Sequence, residues 1–554
     1  MLNPGELYAR VAYFVKKQEG YINNLAGGNL QGTDTRALRS SLHWQGRQSE
    51  LDIIANYQQD KPPGTAFKSQ FFSGEERYDD SSANLDSGLG IDREILSLTA
   101  LLNRQLNAQW RFSSASSYRQ FDNLERFDAD GFELPILLFD SRSEGEQFNQ
   151  SLRFYRETQS RFSGFVGVDA FWKRGYHQLT AQLNEQYLVH FPVVISALTG
   201  SPVDIRPPPV FDSAGYANPD LRFNRAAKEQ QTDRGETLSI DLLADGQWQL
   251  SDHWGLNAGL RLIQEKQHSA LMTPTAFSPV VTLLPGSFKG NFLYTPGASS
   301  AALDNRSESA IWSVSADYQF GEGSLTYWRY ARGRRPEILD FNRNSRTSHL
   351  QAETVDTLEW GLKWRSAQQD LSLNSAVFYQ DYRHFLTLES GLNGRADDNG
   401  QAQVSGIELT GSATLTPYLS TMFNLAYVHA RLDDETHFRY AGNHFRLSPD
   451  WTGAISLHAQ HALADWGVLF ATVTSSVQSE MYFDDANHYR QSGYGLSHLR
   501  VGVQHQAWEL ALQVNNLFDR KYLLDVGNTG ADFGIATFVP GAPRVYSLSL
   551  SGRY

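Results

Sequence analysis

Side chains in this sequence alternate between apolar and polar with a period of two, and this pattern most constrains the fold. Residues 546–551 read Tyr-Ser-Leu-Ser-Leu-Ser, and residues 357–364 read Thr-Leu-Glu-Trp-Gly-Leu-Lys-Trp. Successive side chains of a β-strand point to opposite faces, so each stretch has one apolar and one polar face. A helix would scatter the same side chains around its cylinder. The alternation therefore predicts an all-β chain.

The connections between these strands alternate between short and long. Short turns are predicted near residues 45–49, 104–107, 158–161, 251–253, 321–323, 366–370, 416–419, 464–466 and 506–507. Long connections are predicted at residues 17–34, 59–93, 122–145, 174–234, 267–307, 333–352, 383–402, 432–450, 479–496 and 517–543. A soluble sandwich gives no reason for this asymmetry, whereas outer-membrane barrels have short periplasmic turns and long extracellular loops. With strands of about ten residues, we predict a transmembrane antiparallel β-barrel of about 20 strands.

Composition excludes several other classes of protein. The 554 residues contain no cysteine and carry a formal net charge of −13, which argues against disulfide scaffolds, thiolate metal sites and nucleic-acid partners. The mean hydropathy is −0.44, and no stretch approaches the roughly 18 apolar residues of a spanning helix. Residues 1–6 lack the features of a signal peptide. No tract of linker composition divides the chain, so one large domain is expected.

Several motifs, taken in order, resemble the TonB-dependent outer-membrane receptor family. They are Gly20–Asn24, Tyr330–Pro336, Ala352–Thr354, Glu359–Lys363, Val377–Tyr382, Val404–Leu409, Asn515–Tyr522 and Pro540–Tyr546. The order of the motifs is more specific than any one of them.

The resemblance implies a 22-stranded barrel that takes up a scarce nutrient, such as a siderophore or other iron complex, by TonB-coupled transport. We expect residues 1–554 to form one barrel domain, about 20 of the 22 strands, without the family's N-terminal plug and first two strands. The implied partners are outer-membrane lipid and lipopolysaccharide, an extracellular siderophore-like ligand, and TonB only through a plug and TonB box not found in this sequence. A monomer in the Gram-negative outer membrane is expected.

Arginines and loop aromatics are the candidate ligand-binding residues. The densest basic stretch contains Arg332, Arg334, Arg335, Arg343 and Arg346, whose guanidinium groups suit anionic iron chelates. Alternatively, these arginines pair with acids such as Glu337, Asp340 and Glu353. Loop aromatics that can form a binding platform are Tyr187, Phe191, Phe211, Tyr216, Phe438, Tyr440, Phe445, Tyr482 and Phe483. Trp44, Trp254, Trp360, Trp364 and Trp508 are instead expected in the interfacial girdle.

No enzyme motif is found: the sequence contains no Walker A loop, no G-x-S-x-G elbow and no H-E-x-x-H. We therefore predict no catalytic residues, no cofactor and no metal site. Uptake of a bulky nutrient is the leading hypothesis. A passive porin-like channel is the alternative, because a plug-free barrel of this size has a lumen wide enough to conduct. A soluble secreted glycan-binding β-protein is the third.

Overall fold

A computed structural model of the chain describes most of its residues. The described residues are 6–69, 81–86, 88–134, 136–156, 161–184, 226–276, 291, 293–294, 301–341, 347–368, 370–388, 396–398, 400–433, 440–527 and 537–552.

Twenty β-strands form one sheet, as the alternation predicts. In chain order they are β1 Glu6–Gln18, β2 Thr33–Gln45, β3 Ser49–Asp60, β4 Gly90–Gln105, β5 Trp110–Asp128, β6 Leu137–Arg156, β7 Phe162–Leu183, β8 Ala227–Gln249, β9 Trp254–Met272, β10 Ala301–Gly321, β11 Ser324–Arg335, β12 Glu353–Arg365, β13 Leu371–Arg383, β14 Gln401–Thr416, β15 Leu419–Leu432, β16 Trp451–Ala462, β17 Val468–Gln478, β18 Tyr494–His505, β19 Trp508–Asn515 and β20 Val545–Gly552. Within the described ranges the only helical segment is the 3-10 turn Ala464–Trp466, so no helix there is long and apolar enough to cross a membrane.

Each strand pairs antiparallel with the next, so that an up-and-down order connects β1 to β20. Among the described residues, no register joins β1 to β20. Val11 and Leu548 on these strands are 70% and 74% exposed, more than apolar side chains on inner strands such as Leu512 at 49%. The sheet therefore has a seam between its first and last strands.

The two faces of the sheet differ in chemistry. Trp328, Trp360, Val377 and Ile407 are successive register partners across β11 to β14, and all four are exposed. On the opposite face, Glu359 accepts a hydrogen bond from the Tyr327 hydroxyl at 2.7 Å. An apolar outer face and a polar inner face are typical of a membrane barrel.

Tryptophans of the predicted girdle lie on the exposed face of the sheet. Trp254, Trp360 and Trp508 are exposed, and the Trp254 and Trp328 rings stack with centroids 6.2 Å apart. Trp254 and Trp508 each begin a strand directly after a short turn. This position fits the periplasmic interface, where aromatic side chains favour the boundary between lipid and water.

Strands β5 to β10 are much longer than the predicted ten residues, with 19 to 23 residues each. At about 3.3 Å per residue, a strand of this length spans roughly 70 Å and extends far beyond the hydrocarbon layer. The loops expected at 122–145, 174–234 and 267–307 therefore begin later and end earlier, since β5 reaches Asp128 and β6 starts at Leu137. Above the apolar belt, cross-strand ion pairs such as Arg174–Glu146 and Arg126–Asp140 continue the ladder on one face, and an apolar core around Phe139 supports it on the other.

The buried apolar cores of the described residues lie in the long loops and in the outer ends of the longest strands. One core gathers around Phe139 and Leu183, a second around Phe483 and Val526, and a third around Ile22 and Leu30. Short hairpins outside the barrel sheet support these cores, including Met481–Tyr482 paired with Arg490–Gln491. The described parts of these loops therefore pack around apolar cores and position side chains above the barrel.

Candidate ligand-binding site in the extracellular loops

Two consecutive long loops pack against each other above β15 to β18. The Leu447 amide donates to the Tyr482 carbonyl at 2.7 Å, and Arg446 forms an isolated parallel bridge with Tyr482. The His444 amide donates to the Asn487 side chain at 2.9 Å, and the Asn487 amide group donates back to the His444 carbonyl at 3.0 Å. These bonds hold residues 443–447 in place. We call this segment, with Phe385 and Tyr482, the loop cluster.

Aromatic rings cover one side of the loop cluster. Phe445 stacks on Phe385, with ring centroids 4.6 Å apart and planes 23° from parallel. Tyr382 meets Phe385 edge-on at 5.6 Å. The Tyr482 ring lies 5.2 Å from the His444 ring. Stacked and tilted rings of this kind suit the planar groups of a chelate.

Arg446 gives the loop cluster a cation that sequence reasoning did not single out. Its Nε atom is buried and has no hydrogen-bond partner among the described residues. Burial raises the pKa values of Asp485 and Asp525, and the Arg446 charge opposes that rise in both. The only sequence signal was the position of Arg446 beside Phe445 in an aromatic loop.

The neighbouring histidine is biased toward its neutral form. Burial lowers the pKa of His444, and the Arg431 guanidinium lowers it further. Arg431 is itself held by Asp450, to which both of its terminal nitrogens donate at 3.2 Å. The loop cluster therefore offers one guanidinium, one neutral imidazole and several aromatic rings.

The predicted arginines lie on a different part of the rim. Arg332 donates to both carboxylate oxygens of Asp356, at 2.7 and 2.5 Å. Arg334 donates to the Ser307 hydroxyl at 3.0 Å. Arg335 is 4.0 Å from Glu353, one of the acids named as its alternative partners. Arg343 and Arg346 lie outside the described residues.

A short chain of contacts connects this arginine group to the loop cluster. The same Glu353 oxygen that faces Arg335 accepts the Leu386 amide at 3.0 Å, and Leu386 follows Phe385. The structure thus brings together Phe445 and Tyr482, and places Tyr440 in the turn that precedes them. Of the other loop aromatics, Phe483 is fully buried in a loop core and is a packing residue. Tyr187, Phe191, Phe211, Tyr216 and Phe438 lie outside the described residues.

Comparisons with known proteins agree with this architecture. A family model described as "TonB dependent receptor-like, beta-barrel" matches residues 37–517. Among solved structures, the ferric yersiniabactin uptake receptor FyuA from Yersinia pestis is 17% identical, with a TM-score of 0.79 over 100% of this chain and 76% of its own. The siderophore receptor PiuA from Acinetobacter baumannii is 14% identical, with a TM-score of 0.72 over 99% of this chain and 78% of its own.

The ferric citrate transporter FecA in its unliganded form is also similar, at 14% identity and a TM-score of 0.68 over 99% of this chain and 73% of its own. These likenesses concern the fold, while the family model covers most of the sequence. This chain belongs to the TonB-dependent receptor family of the Gram-negative outer membrane.

Proposed function

We propose that this chain is the barrel of an outer-membrane receptor for a siderophore or another iron complex, with TonB-coupled uptake in the complete protein. The family match over residues 37–517 carries this proposal. Similar folds belong to receptors named for ferric yersiniabactin and ferric citrate, which supports an iron complex as the ligand class. The family is one of transport receptors, and we propose no catalytic role. A passive channel is not favoured by these matches.

Within the barrel, we propose that the loop cluster captures the ligand. Ferric catecholate and citrate complexes are anionic, and the Arg446 guanidinium is a cation without a hydrogen-bonded partner at Nε among the described residues. Phe445, Phe385 and Tyr482 provide apolar faces beside this charge. Arg335 and its neighbours on β11 form a second, outer group whose charges are largely satisfied within the chain.

The domain and partner assignments form part of the same proposal. Residues 1–554 act as one barrel unit, whose 20 strands are two fewer than the 22 of the family barrel. The barrel is a monomer. Charged side chains above the apolar belt, such as the Arg174–Glu146 pair, suit contact with lipopolysaccharide head groups.

Ligand titration tests the proposal directly. The chain has 12 tryptophans, so binding of ferric citrate, a ferric tris-catecholate or a ferric tris-hydroxamate can be followed by fluorescence quenching of the purified protein. We expect saturable binding of one of the three. Absence of saturation with all three at micromolar concentration would contradict the iron-complex assignment.

A pair of variants then tests the site. Arg446→Gln should weaken binding about tenfold or more, because a charge-assisted contact is lost. Arg490→Gln is the matched control, since Arg490 lies in the facing loop, is exposed, and already pairs with Glu480 at 3.1 Å. Equal affinities for the two variants would move the site away from the loop cluster while leaving the receptor assignment intact.

A further inference from the structure

The first hairpin of the sheet carries three metal-ligating side chains on its polar face. His43 lies on β2, and Glu50 and Asp52 lie two residues apart on β3, so the two carboxylates share a face. The register places His43 directly opposite Asp52. The Nδ1 atom of His43 is 2.7 Å from Asp52 Oδ1 and 3.8 Å from Glu50 Oε1. One ligand atom from each residue falls within 4.8 Å of the other two.

Glu50 and Asp52 differ from another pair of acids on the same face, because that other pair has an arginine beside it. Asp169 and Asp241 are register partners on β7 and β8, and the Arg261 guanidinium lies 3.7 Å from Asp169 and hydrogen bonds to Asp241. Around Glu50 and Asp52, by contrast, the described residues include no lysine or arginine that forms an ion pair with either group. Among the described residues, the His43 imidazole is thus the one basic side chain that pairs with these two carboxylates.

We propose that His43, Glu50 and Asp52 bind one divalent transition-metal ion of the Zn²⁺ class. An imidazole nitrogen with carboxylate oxygens is a ligand set that Zn²⁺ and its neighbours accept, with water completing the coordination. Metal–ligand distances of about 2.0–2.2 Å place ligand atoms roughly 3.5 Å apart. Small side-chain rotations that lengthen the His43–Asp52 separation and shorten the His43–Glu50 separation reach that spacing. The cation also removes the repulsion between the two acids.

The position of the cluster favours a defined geometry. All three side chains project from adjacent strands that are joined by the three-residue connection 46–48, so the backbone fixes their spacing. Short turns are periplasmic in this architecture, so the metal site lies at the periplasmic end of the barrel. It is therefore separate from the loop cluster and does not depend on the identity of the transported ligand.

Zinc titration by calorimetry tests the proposal, with Zn²⁺ alone as the probe and the full 554-residue chain in detergent. His43→Ala should lose one equivalent of bound Zn²⁺ or weaken that site at least tenfold. The nearly isosteric Glu50→Gln/Asp52→Asn variant should do the same. Heat-modifiable gel mobility verifies that each variant is folded. If His43→Ala does not fold, the Glu50→Gln/Asp52→Asn variant alone tests whether the site binds Zn²⁺.

His458→Ala is the matched control. His458 is also half-buried on the polar face, but its Nδ1 atom contacts the Thr472 hydroxyl at 2.9 Å instead of a carboxylate. It should bind Zn²⁺ like the unaltered chain. Electron paramagnetic resonance with Cu²⁺ gives a second readout, because one nitrogen coupling should disappear only in His43→Ala. An unaltered chain that binds no Zn²⁺ at micromolar concentration, or a titration unchanged by both site variants, overturns the proposal.

Discussion

Two carboxyl groups, Asp128 at the end of β5 and Asp130 in the loop after it, are buried side by side. Asp128 accepts the Leu85 amide at 2.6 Å, and Asp130 accepts the Leu137 amide at 2.8 Å, so the pair connects separate loop segments above the membrane. Burial raises the pKa of Asp128 to about 6. Burial, reinforced by the charge on Asp128, raises the pKa of Asp130 well above its ordinary value.

This pair should make the loops less stable as the pH rises. A carboxyl whose pKa is raised in the folded state binds protons more tightly there, so its contribution is greatest in acid and is lost as the pH increases through about 6. Asp130→Asn should therefore make the stability of these loops depend less on pH between pH 5 and 7.5. Hydrogen exchange at the Leu85 and Leu137 amides, corrected for intrinsic rates, measures this local stability at each pH. Asp86→Asn, an exposed acid nearby, should leave the dependence intact; a flattened profile there too would contradict the assignment.

Neighbouring residues on β19 test which face meets lipid. Leu512 is 49% exposed and shares its face with Leu548, whereas the Gln513 side chain donates to Asn515 at 2.9 Å on the other face. Leu512→Arg should destabilise the inserted barrel by about 2–4 kcal/mol, and Gln513→Arg should be tolerated. Folding yield on heat-modifiable gels compares them. A similar loss for both would mean that the faces are assigned incorrectly.

At the scale of the strand, three glycines form a row across the long part of the sheet. Gly145 on β6 is opposite Gly175 on β7, which is opposite Gly235 on β8. A methyl group on Gly175 would lie 2.6 Å from the Glu144 carbonyl oxygen, whereas one on Gly235 would have no neighbour within 4 Å. The row thus combines a crowded and an open position at equivalent places.

Alanine at these two positions should give opposite outcomes. Gly175→Ala should lower the free energy of unfolding by about 1–3 kcal/mol, because the backbone must move to admit the methyl group. Gly235→Ala should change it by less than about 0.5 kcal/mol. Urea unfolding in lipid vesicles compares the two. Equal stabilities would show that the strands are not packed as closely as the register implies.

Sequence patterns predicted the strands within the membrane, where contact with lipid imposes alternation. They did not predict where the longest strands end, because those ends lie above the membrane. The turn before Trp254 and the start of β20 follow from periodicity, whereas the ends of β5 and β6 do not. There one face carries cross-strand ion pairs such as Arg126–Asp140, and the other face packs Phe127 and Phe139 into a core that forms only in the folded chain, so apolar residues no longer mark the lipid-facing side. Phe445 and Tyr482 were identifiable as loop aromatics. The importance of Arg446 was not, because it depends on a bridge between two loops that no local pattern encodes.

For the whole molecule, the orientation of the barrel can be tested because the chain has no cysteine. Ser492 is exposed in a long loop, and Ala367 is exposed in a short turn. Ser492→Cys should react with a membrane-impermeant maleimide on intact cells, because long loops face outward, and Ala367→Cys should react only after lysis. The reverse pattern of labelling would invert the topology.

The seam between β1 and β20 should affect conductance. Unpaired backbone groups in hydrocarbon cost several kcal/mol each, so a seam there must be filled or must leak. In planar bilayers, residues 1–554 alone should show large and poorly selective conductance. Two further strands should reduce it. An ion-impermeable barrel formed by these residues alone would show that the seam closes and that the loops seal the lumen.

The placement of the buried cores in the loops implies a sequence of folding events in two different solvents. The barrel sheet gains stability when its apolar face enters lipid, while the cores around Phe139 and Phe483 gain stability by excluding water. The loop cores join segments that become neighbours only once the strands beneath them are paired, so they form after insertion. Lipid composition should therefore govern whether the barrel assembles, and the aqueous medium outside the cell should govern whether its loops are ready to bind.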